Sequence, residues 1–388
     1  MDFTTEKIIV PLPLELASLH FLLSVSDDVH HDKAKTQAEV LEIIKSKKMV
    51  SLYITYCDEF KWPKDEALVT TMNASNAEEL KKFDDAISDA EKNLGENEVR
   101  EALLAKADFY CRIADKENAL SAYRAAADKT VALGQRLDIV FSIIRIGLFW
   151  LDVDVVTRNL EKAKSLIEEG GDWERRNRLK VYEATWLLAV RDFKKAANLF
   201  LDSIATFTAY ELFPYSTFVF YTVLTSIVSL DRVTLRSKVV EAPEVLSVIG
   251  DVPHLAQLLN SLYDCKYHAF FDALANIAVQ IRADRYLSRH TRYFLREVRV
   301  VAYSQFLESY QSVTLQSMAN AFGVSIAFLD GELSRFISAG RLAAKIDKVG
   351  GIVETSRPDS KNFQYQQMIR QGDLLLNRVQ KLSRVISV

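Results

Sequence analysis

Residues 102–130 read ALLAKADFYCRIADKENALSAYRAAADKT. Ala107, Tyr110, Ala119, Tyr123 and Ala126 fall at offsets of 3, 12, 16 and 19 from the first of them. This alternation of small and aromatic residues fits two antiparallel helices joined by a short turn. Small side chains let the paired helices approach closely, and the aromatics fill the groove between one hairpin and the next. Weaker copies follow. Gly147 and Trp150 take the first two positions of a second unit, while Ala184, Ala196 and Phe200 mark a third, so the units begin 40 and 37 residues apart. A regular repeat of this kind is about 34 residues long. The pattern therefore predicts an imperfect stack of helical hairpins with a concave side open to partners. The plainer reading of the same residues is a set of antiparallel helices with no ligand.

Upstream, the helical period reaches back to Asn76 through a charged, alanine-rich run. Before it, LEIIKSKKMVSLYITYCDEF (residues 41–60) reads as one helix that Trp62-Pro63 breaks. Downstream, the pattern stays helical from Tyr210 to Gln311. Thr314 then caps a short helix through Ala321, Gly323 makes a tight turn, and a second helix runs from Ile326 to Ala339 with a glycine stop at Gly340. LAAKID and IVETS, separated by KVGG and closed by Arg357-Pro358, read as a hairpin wing. These pieces make a winged helix. The expected class is mostly α: a tetratricopeptide-like helical-hairpin solenoid, then a winged helix, then a long C-terminal helix. In residue numbers, an N-terminal helical segment spans 1–75 and the repeats span 76–205. A domain of helices plus winged helix covers 190–358, its winged part at about 312–358, and the last helix covers 359–388.

The composition narrows the function. The 388 residues carry a net charge of −3, which gives a polyanion no overall electrostatic footprint. On the second helix of the winged region, Ile326, Leu329, Leu333, Phe336 and Ile337 are expected in the core. Ala327, Phe328, Asp330, Glu332, Ser334, Arg335 and Ser338 are left outward. One arginine against two acids does not suit a groove-reading helix, which needs cations for phosphates and amide or guanidinium groups for base edges. No nucleic-acid partner is expected. Cys57, Cys111 and Cys265 have no paired spacing and fit buried thiols of a reducing compartment. No apolar stretch has signal-peptide or membrane-span length, so a soluble, intracellular protein without a membrane partner is expected. Histidines at 20, 30, 31, 254, 268 and 290 form neither HxH nor HExxH, and His30-His31 reads as a loop pair. Asp152 and Asp154 imitate a calcium loop, yet Thr157 stands at its glycine position and Ala163 at its bidentate acid. With no phosphate loop and no nucleophile elbow either, neither catalysis nor a cofactor is expected.

Three features rise above the solvated background. Arg289, Arg292, Arg296 and Arg299 recur at intervals of 3, 4 and 3 and line one helix face, suited to pairing with an acidic neighbour. A second basic run, Arg175, Arg176, Arg178 and Lys180, then Arg191, Lys194 and Lys195, brackets the third hairpin. In the last helix Met368, Gly372, Leu375, Val379, Leu382 and Ile386 are spaced 4, 3, 4, 3 and 4, a heptad seam with one defect at Gly372. Such a seam fits a partner bundle better than a fold back along the repeats.

Helical hairpins followed by a winged helix, without a catalytic set, resemble the PCI-domain family. Its members are scaffold subunits of the proteasome lid, the signalosome and a translation initiation complex. EKNLGENEVREALLAKADFYCRI, DKTVALGQRLDIVF, TRNLEKAKSLIEEGGDWERRNRLKVYEA, KIDKVGGIVETSRPDSKNFQYQ and GDLLLNRVQKLSRV narrow the likeness. They are similar to one family of non-ATPase subunits of the 19S lid, subunit 7, called regulatory subunit 6 in mammalian naming. The resemblance runs from about residue 90 onward. It implies a non-catalytic scaffold in ubiquitin-dependent protein degradation, in cytoplasm and nucleus. It also implies winged helices packed side by side with other lid PCI subunits, and a C-terminal helical bundle shared with the lid deubiquitinase pair. A small acidic lid protein would lie against the repeats. A signalosome subunit of the same architecture and, further off, a winged-helix nucleic-acid binder are the rival readings.

Overall fold

The computed structural model describes residues 11–25, 32–93, 95–356 and 360–386. The His30-His31 pair and Arg357-Pro358 lie outside the described residues. Helices α1 (Leu14–Ser24), α2 (Lys33–Lys47) and α3 (Val50–Phe60) precede α4 (Glu66–Asn93), which starts ten residues before Asn76. The stretch 41–60 is not one helix. Lys48 takes a left-handed conformation (φ 56°) that ends α2 and leaves Met49 fully buried. Its ammonium donates to Glu79 and Ser75, while Asn76 donates to its carbonyl, so tertiary bonds fix this break. Pro63 does separate α3 from α4 as expected.

Three hairpins follow: α5 (Glu96–Arg112) with α6 (Lys116–Asp128), α7 (Leu133–Trp150) with α8 (Val153–Glu168), and α9 (Trp173–Val190) with α10 (Phe193–Ser203). Each turns in the same way. Ala114, Leu151 and Arg191 adopt positive φ (61°, 52° and 76°), and the following Asp115, Asp152 and Asp192 cap the second helix of the pair. The amides of these aspartates donate to the carbonyls of Tyr110, Gly147 and Leu187, closing the first helix. Counting eight residues back from each cap gives Ala107, Ile144 and Ala184 as equivalent positions, 37 and 40 residues apart. The second unit therefore begins at Ile144, not Gly147. A register counted from small residues slipped by three, because a glycine suits any close helix crossing. With Ile144 first, Val156, Leu160 and Ala163 occupy the offsets 12, 16 and 19, and all three are buried. Gly147 is the second position, where an added methyl would meet Val156 Cγ2 at 2.7 Å.

Bonds between hairpins repeat at nearly the same interval. Arg100 binds Gln135, Lys116 binds Asp152 at 2.6 Å, Arg175 binds Asp138 at 2.8 Å, and Arg145 reaches Tyr182 at 3.5 Å. Asp152 therefore serves as a helix cap and a link between hairpins, which accounts for its imitation of a calcium loop. Further helices are α11 (Tyr215–Ser229), α12 (Arg232–Leu235), α13 (Pro243–Leu246), α14 (Leu255–Tyr263), α15 (Tyr267–Ala283) and α16 (Thr291–Glu308). The chain divides into two compact units, Met1–Asn260 with Ala273–Leu295, and Ser261–Asp272 with Arg296–Val388. Within the first, residues 284–290 close the ends of two repeats. The Arg285 guanidinium donates to the carbonyls of Leu148 and Phe149, and the His290 imidazole pairs with the carbonyl of Ala189 at 2.8 Å. These are last-turn carbonyls, where intrahelical donors run out; among the described residues, that of Leu148 has only the Leu151 amide at 3.4 Å beside the guanidinium.

The second unit contains β1 (Ser312–Thr314), α17 (Leu315–Phe322), α18 (Ile326–Ser338), β2 (Ala344–Asp347), β3 (Ile352–Thr355) and α19 (Ser360–Ile386). Strand β3 lies between β1 and β2, antiparallel to both, with Val353 opposite Val313 and Ile346. Sequence patterning missed β1, since three residues leave no alternation to detect. Thr314 caps α17 as expected, Ser325 caps α18, and Gly323 turns between them with φ 69°. The Phe322 ring is the hub of the core, with Tyr267, Phe271, Tyr303 and Phe306 at centroid distances of 4.7–5.3 Å. Two expectations for α18 are corrected. Glu332 is buried, accepting from Arg299 at 2.9 Å and the Tyr303 hydroxyl at 3.2 Å, while Ile326 in the first turn is exposed. A satisfied ion pair draws the acid inward. Helical spacing alone reads it as solvent-facing.

Candidate docking surfaces

Helix α19 spans 27 residues, about 40 Å at 1.5 Å per residue. Leucine, glutamine, arginine and lysine favour the helix, and no proline interrupts it. Every described side chain from Asn362 to Ile386 is exposed. The seam expected from the sequence is intact and uncovered: Met368 is 68% exposed, Leu375 66%, Val379 56%, Leu382 61% and Ile386 74%. Further apolar residues lie outside the heptad positions. Tyr365, Ile369 and Leu376 flank the seam and widen it. Phe363, Leu374 and Val385, spaced 11 apart, fall on the opposite side of the helix. An eleven-residue period returns to the same face of an α-helix, and heptad spacing does not contain it.

The arginine series does not act as one set. Arg289, Arg292 and Arg296 are exposed, Arg296 lying 3.4 Å from Glu297, whereas Arg299 is held against buried Glu332. Glu297 is itself buried and accepts from Arg341. Arg289 and Arg292 belong to the first unit, Arg296 and Arg299 to the second.

Internal partners also occupy most of the basic run at the third hairpin. Arg175 binds Asp138, Arg178 binds Glu174 at 3.0 Å and lies 3.5 Å from buried Glu211, Lys180 lies 3.7 Å from Asp202, and Lys195 binds Asp192. Arg191 stacks over the Tyr293 ring. Arg176 and Lys194 are exposed and have no ion-pair partner among the described residues. Arg175 and Arg178 are ties within the repeats, Lys180 and Lys195 stand in exposed surface pairs, and only the fold distinguishes these from the unpaired cations.

Outward charge on α18 reduces to Arg335 and to Asp330, which binds Lys348 of the wing at 3.2 Å. Among the described residues, no group of three or more histidines, cysteines or acids could hold a metal ion. No helix among them is long and apolar enough to cross a membrane. The thiols of Cys57 and Cys111 are buried and that of Cys265 is half-buried, all three free. Burial pushes the Cys111 thiol up to about 12, which makes it a poor nucleophile.

The family model described as 26S proteasome subunit RPN7 matches residues 65–238, and that of the PCI domain matches residues 274–357. A third, the 26S proteasome regulatory subunit RPN7/PSMD6 C-terminal helix, matches residues 364–386, within α19. The chain is similar to the 26S proteasome non-ATPase regulatory subunit 6 homolog of Arabidopsis thaliana, 58% identical over 97% of each chain. To the non-ATPase regulatory subunit 6 of Dictyostelium discoideum it is 55% identical over 90% of this chain and 92% of that one. To the regulatory subunit RPN7 of Saccharomyces cerevisiae it is 38% identical over 96% and 92%. Carrying the hairpin repeats, the winged helix and the terminal helix that these relatives match along nearly their whole length, the chain belongs to the RPN7 family of 26S proteasome non-ATPase regulatory subunits.

Proposed function

We propose that this chain is a non-catalytic scaffold subunit of the proteasome regulatory particle lid, acting in ubiquitin-dependent protein degradation through subunit assembly, in cytoplasm and nucleus. One observation carries the reading: a helix of 27 residues exposes an apolar face along its whole length. Burying a leucine or isoleucine contributes about 1.5–3 kcal/mol, so leaving this many in water is costly unless a partner covers them. The line of Phe363, Leu374 and Val385 adds to this, because apolar groups on two sides suit a helix with more than one neighbour. Other lid PCI subunits and the lid deubiquitinase pair supply the bundle. A small acidic lid protein lies by Arg176 and Lys194, and an acidic neighbour meets Arg289 and Arg292. Support over the signalosome alternative comes from the relatives, whose names are those of proteasome subunits.

The test is Leu375→Asp with Leu382→Asp. Affinity purification of the complex should recover none of the doubly substituted chain, while the isolated chain keeps the thermal melt of the parent because neither residue packs within it. Normal incorporation would refute the bundle assignment.

A further inference from the structure

The first unit contains a groove of about 570 Å³ bounded by α1, α2 and the segment leading into α11. Leu19, Ile43 and Phe213 supply apolar surface to its floor, and Glu15, Glu39 and Glu42 stand on its rim. All three glutamates are exposed, and none enters an ion pair or accepts a hydrogen bond from the described residues. Lys35, one turn before Glu39, makes no ion pair with it; the Lys47 ammonium donates to the carbonyl of Pro11 and also attracts the Glu15 carboxylate, leaving Glu39 and Glu42 as the less compensated pair. A fourth carboxylate in the lining, Asp284, is already satisfied by the Tyr221 hydroxyl and two backbone amides. Among the described residues, no cation lines the groove.

Glu39 and Glu42 are three residues apart on one helix and repel each other weakly. Glu15 suits the first turn of α1 and is drawn to Lys47, but no ion pair among the described residues offsets the placing of Glu39 and Glu42 beside it above an apolar floor. The groove is complementary to the opposite pattern: an apolar row flanked by positive charge. We infer that it docks an amphipathic helix of a partner protein, one presenting leucine-type side chains to the floor and lysine or arginine to the three glutamates. Helix-in-groove recognition uses apolar anchors at intervals of three and four residues. Carboxylates at the rim add steering and register more than raw affinity. A free polyamine would satisfy the charges and leave the floor uncovered. This surface is separate from α19 and does not depend on the role given to that helix.

The experiment uses the full chain and a fluorescein-labelled 18-residue peptide with leucine at heptad a and d positions and lysine at e and g. Anisotropy titrations at about 0.1 M salt should show binding that weakens as salt rises. It should weaken at least tenfold for the triple substitution Glu15→Gln, Glu39→Gln, Glu42→Gln. Leu375→Asp with Leu382→Asp should leave it unchanged, which separates this groove from the seam of α19. A photo-reactive group on the peptide should crosslink to α2 or to residues 212–217, giving a readout that does not rely on variants. Equal affinity for the triple variant, loss of binding on the α19 substitutions, crosslinks confined elsewhere, or no binding would each overturn the inference. Competition by spermine without any effect of Phe213→Asp would identify a polyamine site in its place.

Discussion

Arg285 is half-buried, and its guanidinium donates two hydrogen bonds to the last-turn carbonyls of α7. Hydrogen bonds to a charged group contribute about 1.5–3 kcal/mol, and orphaned buried carbonyls are costly. Arg285→Ala should therefore lower unfolding free energy by about 2–3 kcal/mol in urea titration, and Arg285→Lys should recover only part of it; an unchanged midpoint would remove the clamp from the account. Glu79 permits a test by pH. Hydrogen bonds from Lys48 and then Arg112 hold its carboxyl below the usual range. The native state thus binds this proton more weakly than the unfolded chain, so the stabilisation is complete above the unfolded pKa and disappears as pH falls through the lower native one. The stability gap between the parent and Glu79→Gln should be widest near neutrality and shrink below about pH 4.5; a gap independent of pH would show that the pairing adds nothing. None of these roles was visible in the sequence. Arg285 lies 136 residues from Phe149, and no local spacing connects them.

At the scale of elements, the recurring turn explains the stack better than the small and aromatic positions do. Each left-handed residue followed by an aspartate ends one helix and starts the next, so the cap fixes both the crossing point and the register. Asp152→Ala loses the cap of α8 and the ion pair to Lys116, and about 1–2 kcal/mol of stability with them. Asp154→Ala should be nearly neutral, because its one ion pair among the described residues, with Arg158, is exposed. Added calcium should leave the melting temperature of either protein unchanged, and a calcium-dependent rise in thermal denaturation would restore the metal reading. The three aspartates stood in the sequence at intervals of 37 and 40 residues and could have set the register directly. Aspartate is nevertheless common on helix surfaces and becomes informative only beside a left-handed neighbour. Helix α18 shows the converse. Its helical period is legible in the sequence, yet Glu332 lies inside because Arg299 and Tyr303 of α16 meet it there.

For the whole molecule, the arginines of residues 289–299 divide by consequence. Arg289→Glu with Arg292→Glu should weaken incorporation into the proteasome complex, measured by the yield of affinity-purified assembly, with little change in the monomer's melt, since exposed charges contribute little to folding. Arg299→Ala should instead destabilise the winged helix by about 2–3 kcal/mol, because it leaves Glu332 buried without its cation. If both substitutions behaved alike in the melt, the division would fail. By itself the sequence determined the helical class, the hairpin repeats, the winged helix and the apolar seam of α19. Each of these is written in local periodicity and turn residues, and periodicity survives without tertiary context. It also pointed to the family, through blocks of residues long enough to be specific. Only the tertiary structure decided which cations are free to meet a partner and which are ties, where the second repeat begins, and that the acid rim of the first unit encloses a groove. Pairing and burial depend on residues distant along the chain, and the desolvation that makes an ion pair structural rather than available exists only once those residues have been brought together.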